Sequence, residues 1–489
     1  MNNLKKHLLL ITMLIHALTL NVSAAIIVVD NAGDSGELEN NCSLRDAILS
    51  ASINISVDGC IPGEAGVTDV IIIQVPGPIQ LNSAIPVFDS VTIATNLGAP
   101  AVSILAGDNS RIFRVSAPTN VELNFSMSNL KLMGGDAEDA GGGAVYFFRN
   151  GGSFGNIEIR NSTFENNKGS SGGAIGLDET NAISILIEDN QFINNSSENV
   201  GGAITSSRGS RGNPSGAEIN MVGNLFQDNQ TSGRGGAVFI DNQGSFSANI
   251  DLNNFINNSA LLGGGALSLA GFGLKPDVLY FLDRNLFMHN TSNQVGGALE
   301  LFLGARVFID YSFFAFNQAA DKGGAIYAFR SNSAVDSHLA LSHNTIIHNT
   351  ANIGDNLAIT GSTFKADENI IAYPSNGDNC SGVASTAAFI PSRNLLDDES
   401  CELMDNQLLG IIAAPGLSGF TDDPMYYPGF YPTVNSPALD GGSNASGSAD
   451  LNGNPIPTDG NGNGSFIPDL GAFEAPANTD LIWKDSFGQ

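Results

Sequence analysis

Seven times between residues 142 and 326 the chain writes Gly-Gly-Ala followed by an aliphatic residue, and that repeat limits the fold more than any other feature. The copies end at Ala144-Val145, Ala174-Ile175, Ala203-Ile204, Ala237-Val238, Ala266-Leu267, Ala298-Leu299 and Ala325-Ile326. A Phe-x-x-Asn precedes all but the first, at Phe164/Asn167, Phe192/Asn195, Phe226/Asn229, Phe255/Asn258, Phe287/Asn290 and Phe314/Asn317; a degenerate copy, Ile346/Asn349 then Gly354, closes the series. The first glycines fall at 142, 172, 201, 235, 264, 296 and 323, a period of roughly 27 to 34 residues. A fixed period in this range is the mark of a solenoid.

The local pattern selects which solenoid. Apolar residues alternate after each glycine pair, as in Val145/Phe147, Val238/Ile240 and Leu299/Leu301, and again before each Phe, as in Ile157/Ile159, Ile185/Ile187 and Ile250/Leu252. A period of two is the period of a strand. Equivalent strands of successive repeats pair only in parallel, one coil on the next at about 4.8 Å. The expected fold is therefore all-β: a right-handed parallel β-helix, its hand following the general rule for parallel crossovers.

Alignment on the repeat stacks like on like. Phe164 to Phe314 form an internal aromatic row. Asn167, Asn195, Asn229, Asn258, Asn290, Asn317 and Asn349 form a second, and Ser162, Asn190, Asn224, Asn253, Asn285, Ser312 and Asn344 a third. A stacked amide donates to one neighbour and accepts from the other, which makes a ladder. Asn also tolerates the left-handed backbone of a tight corner. The paired glycines fit positive φ or close approach of two backbones, and Gly236 is expected to admit no Cβ.

The flanks read differently. Lys5-Lys6, the apolar stretch Leu8 to Leu20 and the small residues Val22-Ser23-Ala24 form a secretory signal with cleavage expected after Ala24. No later apolar run is long enough to span a membrane. In an exported chain the four cysteines are expected to pair locally, Cys42 with Cys60 and Cys380 with Cys401. Residues 25–135 hold a first strand at Ile26–Val29, a capping box at Ser43 and Asp46 that opens a short helix, and irregular first coils around Val70–Val75, Val91–Ile93 and Ile112–Val115. The helix is placed to cover the open end of the solenoid. Regular repeats then occupy 136–375, C-terminal coils and a loop-rich module 376–475, and a tail 476–489.

Net charge is −29, from 49 acidic and 20 basic residues, with no basic patch to offset it. Such a surface repels nucleic acid and suits solubility, cations or neutral glycan.

Three resemblances follow from these residues. Cys42-Ser43-Leu44-Arg45-Asp46-Ala47 resembles the motif that names the CSLREA domain, with Asp46 in place of its Glu. The Phe-x-x-Asn and Gly-Gly-Ala-Ile repeats are similar to those of the chlamydial polymorphic outer-membrane proteins, which implies an adhesin-like surface protein of a Gram-negative bacterium. That family ends in a membrane barrel, and the roughly 115 residues after Ser375 are too few for one. Asn435-Ser436-Pro437-Ala438-Leu439-Asp440-Gly441-Gly442 through Asp469-Leu470-Gly471-Ala472-Phe473-Glu474 looks like the choice-of-anchor Q domain, which accompanies surface β-helices. The last segment, Leu481 to Phe487, resembles a tail found on some exported gammaproteobacterial proteins.

Chemistry has three candidate places. Asp459-x-Asn461-x-Asn463-Gly464 opens like a calcium loop, oxygens at alternate positions and Gly at the turn. Its twelfth position is Leu470, so Asp469 and Glu474 are the candidates to complete a shell for Ca2+. The second place is the outward face of the strand after Gly-Gly-Ala, where two rows run along the axis. One carries Tyr146, Gly176, Thr205, Phe239, Ser268, Glu300 and Tyr327; the other carries Phe148, Asp178, Ser207, Asp241, Ala270, Phe302 and Phe329. Aromatic faces beside carboxylates suit sugar rings and their hydroxyls, so Tyr146, Phe239, Glu300 and Tyr327 are the candidate contacts for a polysaccharide or a host-cell surface. Asp178, Asp241 and Glu300 are the candidate acid and base of a glycosidase. Asp178 and Asp241 fall two coils apart, about 9.6 Å, near the separation that inverting glycosidases use. The third is Arg149, Glu179 and Arg208, one register in three successive coils, which reads as a surface ion ladder. Pectate lyases share the expected pectin-lyase-like fold and act on acidic substrate with a basic residue and calcium, which the net charge argues against here. The leading expectation is an exported, adhesin-like or glycan-binding β-helix without catalysis; the alternative is a polysaccharide hydrolase or lyase of the same architecture.

Overall fold

In the computed structural model the described residues are 23–34, 41–96, 98–137, 141–178, 182–208, 217–242, 246–271, 279–330, 337–382, 393–403, 407–408, 410–419, 429–433, 435–443, 449–460 and 462–475. The expected signal region through Val22, Asn461 and the C-terminal tail lie outside them.

The chain coils as a parallel β-helix with four faces. The first face is the strand after Gly-Gly-Ala, 11 strands deep, from Ile85–Val87 through Val145–Arg149 to Cys380–Ser381. The second, of 12 strands, starts at Ile26–Val29 and ends at Thr363–Asp367. The third carries the Phe of Phe-x-x-Asn and is 13 strands deep; the fourth, a two-residue strand after the Asn, is 7 deep. Every pairing along these four sheets is parallel, for example Val238 with Leu267 and Phe226 with Phe255, and the register shifts at one place on the second face, between Phe154 and Ile157. Only one helix is present among the described residues, α1 (Leu44–Ile53); Ser43 caps it by accepting from the Asp46 amide at 3.2 Å.

The ladders form as the repeat requires. Phe164, Phe192, Phe226, Phe255, Phe287 and Phe314 stack nearly parallel with centroids 4.5–4.9 Å apart. In the second ladder the Nδ2 of each Asn from Asn195 to Asn317 donates to the Oδ1 of the next coil's Asn and to the carbonyl of the preceding coil's Phe; Asn258, for example, reaches Asn290 at 3.0 Å and Phe226 at 2.9 Å. The run ends on carboxylates, where Asn379 donates to Asp397 and Asp398. One expectation needs correcting. The left-handed corner residue is not the ladder Asn but the residue before it: Asn166, Asn194, Asp228 and Asn257 have φ of 53–56°. The ladder Asn turns inward and spends its amide on the stack.

The two glycines do different work. At Gly235, with φ +69°, a Cβ would lie 2.2 Å from the Val238 carbonyl of its own coil, whereas at Gly236 a Cβ would lie 1.8 Å from the Gly265 carbonyl of the next. Asp355 takes the second-glycine place where regular stacking ends, and its carboxylate accepts from the amides of Ala351, Asn376 and Gly377.

Variation in the period has one main source. Gly142 to Ser162, Gly201 to Asn224 and Gly296 to Ser312 differ widely in length, whereas the Ser162-row residue always precedes the Asn167-row residue by five positions. Insertions therefore enter between the first and second faces. The C-terminal module packs on the outer side of the third face: Phe430, Ala438, Leu451, Leu470, Ala472 and Phe473 cover Leu286, Phe313, Ile347, Ile370 and Leu395. Both expected disulfides form, Cys42–Cys60 and Cys380–Cys401.

Candidate functional site

Register brings the two outward rows of the first face into straight lines. Tyr146 opposes Gly176, Thr205 opposes Phe239, Ser268 opposes Glu300 and Glu300 opposes Tyr327. In the neighbouring line Phe148 opposes Asp178, which opposes Ser207, which opposes Asp241. Asp178 and Asp241 thus stand two coils apart as expected, whereas Glu300 belongs to the other line.

Two aromatic groups sit on this face. In the first, Tyr146 and Phe148 lie side by side with centroids 5.4 Å apart, the Arg111 guanidinium 4.9 Å over Tyr146 and that of Arg114 4.7 Å over Phe148. The Tyr146 hydroxyl donates to Asp178 Oδ2 at 3.0 Å. Burial and the Asp178 charge push the phenol well above its ordinary range, so it remains a donor. In the second group Phe239, Phe302, Phe329 and Tyr327 form a chain of rings, Phe302 and Phe329 being 5.9 Å apart and Tyr327 and Phe329 5.2 Å. Arg234 lies 5.0 Å over Phe302. Between the groups Gly176 and Thr205 leave a low stretch.

Outward does not mean exposed here. Glu300 is 0% exposed. Arg234 pairs with its Oε1, and the Ser268 hydroxyl donates to Oε2 at 2.7 Å. Gly263 makes room, since a Cβ there would fall 2.4 Å from Oε2. Burial raises the Glu300 pKa, and Arg234 and Ser268 pull against that rise. Thr205, Ser268 and Tyr327 are buried too, while Tyr146 and Phe239 are half-buried. Of the four expected glycan contacts, Tyr146 and Phe239 present accessible surface, Tyr327 presents little, and Glu300 is closed off by its own partners. Of the three candidate catalytic carboxylates, Asp178 and Asp241 are half-buried and Glu300 is enclosed.

Arg111, Arg114 and Arg234 are the members that reasoning from the repeat misses. A signal for Arg234 exists: its slot, just before the glycine pair, holds Val200, Gly263 and Val295 in neighbouring coils, so a cation there needs a partner. In the ion ladder Arg149 is half-buried, and Glu179 and the Arg208 side chain lie outside the described residues.

At the C-terminal loop, Asp459 accepts from the amides of Asn463 and Gly464, and Asn463 Nδ2 donates to Asp440. Asp469 and Glu474 come together more deeply. Glu474 accepts from the amides of Asp469 and Thr458, and Asp469 from those of Asp440 and Ala475. Burial is the largest cause of their raised pKa values, about 7 for Asp469 and about 8 for Glu474. Asn461 lies outside the described residues. Among the described residues no three His, Cys, Asp or Glu are grouped to hold a metal ion.

His343 lies buried with its Nε2 2.6 Å from Glu368. Glu368 also accepts from the Ser443 amide at 2.7 Å, so this pair fastens the C-terminal module to the solenoid. A shallow polar depression of about 380 Å³, lined by Gln318, Thr350, Asn352, Asp355, Asn376 and Asp378 among others, opens where the fourth face ends. Comparison with protein-family models, with curated proteins and with solved structures finds no match.

Proposed function

We propose that this chain is an exported or cell-surface β-helix that binds neutral or weakly charged glycan, or a partner surface, along the outer side of its first face without turning it over. The observation that carries the reading is the pair of aromatic groups, Tyr146/Phe148 and Phe239/Phe302/Phe329, held in line on a rigid sheet with small residues between them. Partly exposed rings beside guanidinium groups bind by partial stacking and by the polar groups around them. Contacts several coils apart are individually weak, and an extended ligand gains affinity from engaging them together. The polar groups beside the rings fit binding: Asp178 is an acceptor already oriented by Tyr146, and Glu300 serves to hold Arg234. Export is supported by two disulfides, which persist in oxidising compartments. The calcium reading is kept as a part of this proposal, with Ca2+ ordering the loop at Asp459 and not taking part in chemistry.

A glycan array read beside a reducing-sugar assay tests the proposal. Retention of one or more polysaccharides with no release of reducing ends is the expected result. Release that disappears in Asp241→Asn would make the chain a polysaccharide-degrading enzyme.

A further inference from the structure

We propose that removal of the leader after Ala24 creates a structural ion pair: the new α-ammonium of Ala25 becomes the charged partner of the buried carboxylate of Asp69. The inference rests on the export reading above. Ala25 N donates to Asp69 Oδ1 at 3.0 Å, across 44 residues of sequence. Asp69 is 2% exposed, and among the described residues the only other donor to its carboxylate is the Glu64 amide, 3.2 Å from each oxygen. Gly63 is shaped around this carboxylate, since a Cβ there would lie 2.3 Å from Oδ2. Among the described residues no Lys, Arg or His forms an ion pair with Asp69. A buried carboxylate served only by neutral amides is an expensive arrangement. Asp89 adds to the imbalance: burial, and then the Asp69 charge, raise its pKa.

Processing supplies the missing cation. In the precursor Ala25 N is an amide with one hydrogen and no charge. Hydrolysis of the Ala24–Ala25 bond by a leader-cleaving protease uses one water: its oxygen completes the Ala24 carboxyl group, and hydrogen goes to the Ala25 nitrogen. The resulting amine takes up a proton below its ordinary pKa of about 8. The ammonium is then already placed, because Ile26–Val29 pairs with Asp69–Ile73 and sets Ile26 opposite Val70. Cleavage therefore ties down the first strand of the second face, and the end of the solenoid tightens only once the leader is gone.

The test uses the exported full-length protein. Its N-terminus is read by mass spectrometry, and the α-amine is titrated by the pH dependence of acylation with a small anhydride. The expected results are an N-terminus at Ala25 and acylation at pH 8 about fivefold slower than in Asp69→Asn, as a one-unit rise in the amine pKa gives. A protein beginning one residue earlier, at Ala24, keeps every side chain; it is expected to show an ordinary amine and faster hydrogen exchange at Ile27 and Val29. A chain that keeps its leader overturns the export reading itself. Cleavage at another bond leaves export standing and overturns the ion pair, as does an Ala25 amine that titrates alike in the wild type and in Asp69→Asn.

Discussion

Replacing Asn258 by Ala asks how much the amide ladder holds. Asn258 Oδ1 accepts from the Asn229 backbone amide at 3.1 Å and from Asn229 Nδ2 at 3.0 Å, while its Nδ2 donates to Phe226 O and Asn290 Oδ1. Alanine removes all four bonds. Two of the stranded groups keep other partners: Asn229 Nδ2 still donates to Phe192 O, and Asn290 Oδ1 still accepts from the backbone amide of residue 258. The Phe226 carbonyl keeps the ladder bond that the register gives it from the Ile256 amide, so the Asn229 amide is the group that loses its partner. At about 1–3 kcal/mol per buried group left unpaired, the loss is about 1–3 kcal/mol. The neighbour Asn257, with φ 56°, is the control; Asn257→Ala costs about 1–2 kcal/mol from left-handed backbone alone. Because a solenoid unfolds in parts, the assay is native-state hydrogen exchange, read at the Asn229 amide and in the coils on either side. Loss of protection at Asn229 in the ladder variant, well beyond that in the corner variant, is expected. Equal and small losses in both would mean that the stacked backbones hold the coils and the amides merely follow.

Gly236→Val places carbon against the Gly265 carbonyl, where even a Cβ would stand 1.8 Å away, and is expected to abolish soluble expression; Gly235→Asn is expected to be poorly tolerated too, because φ +69° suits Asn but its Cβ would stand 2.2 Å from the Val238 carbonyl. Reduction of the disulfides opens loops of 18 and 21 residues and is expected to cost about 3 kcal/mol each, seen as a lower unfolding midpoint in dithiothreitol. The C-terminal module should loosen as pH rises. Asp469 and Glu474 have folded pKa values of about 7 and about 8, above the ordinary values near 4, so the folded state binds protons more tightly, and the stability they contribute below about pH 4 is lost progressively up to about pH 8. Proteolysis of residues 436–475 at pH 5 and pH 9 checks the sign: faster cleavage at pH 9 is expected after correction for protease activity, and faster cleavage at pH 5 would reverse it.

The coil was legible because each of its parts repeats. Phe at one place, Asn at another and paired Gly at a third leave few arrangements that satisfy all copies together. The site was less legible because side-chain direction and exposure are separate facts. Tyr327 and Glu300 point outward as the alternation requires, yet Phe302, Phe329 and Arg234 close over them. The docking of the C-terminal module was written in the third-face strands and was readable in principle. Thr163-Phe164-Glu165 flanks its buried Phe with polar residues, but Leu286-Phe287-Met288 and Phe313-Phe314-Ala315 flank theirs with apolar ones, and those flanking residues meet Phe430 and Phe473. What could not be read was the long-range pairing of His343 and Glu368 with Ser443, which depends on where an irregular segment folds back.

The central claim is that the outer side of the first face is a binding surface without turnover. Its most direct test is equilibrium binding of an array-selected polysaccharide to the wild type and to a Tyr146→Ala/Phe239→Ala variant, with reducing ends assayed in the same samples. Tyr146 and Phe239 are half-buried and stand on separate coils, so the variant should remain folded. At about 1 kcal/mol per lost ring contact, affinity should fall by one to two orders of magnitude with no reducing ends formed. Unchanged affinity in the folded variant, or steady release of reducing ends by the wild type, would contradict the account.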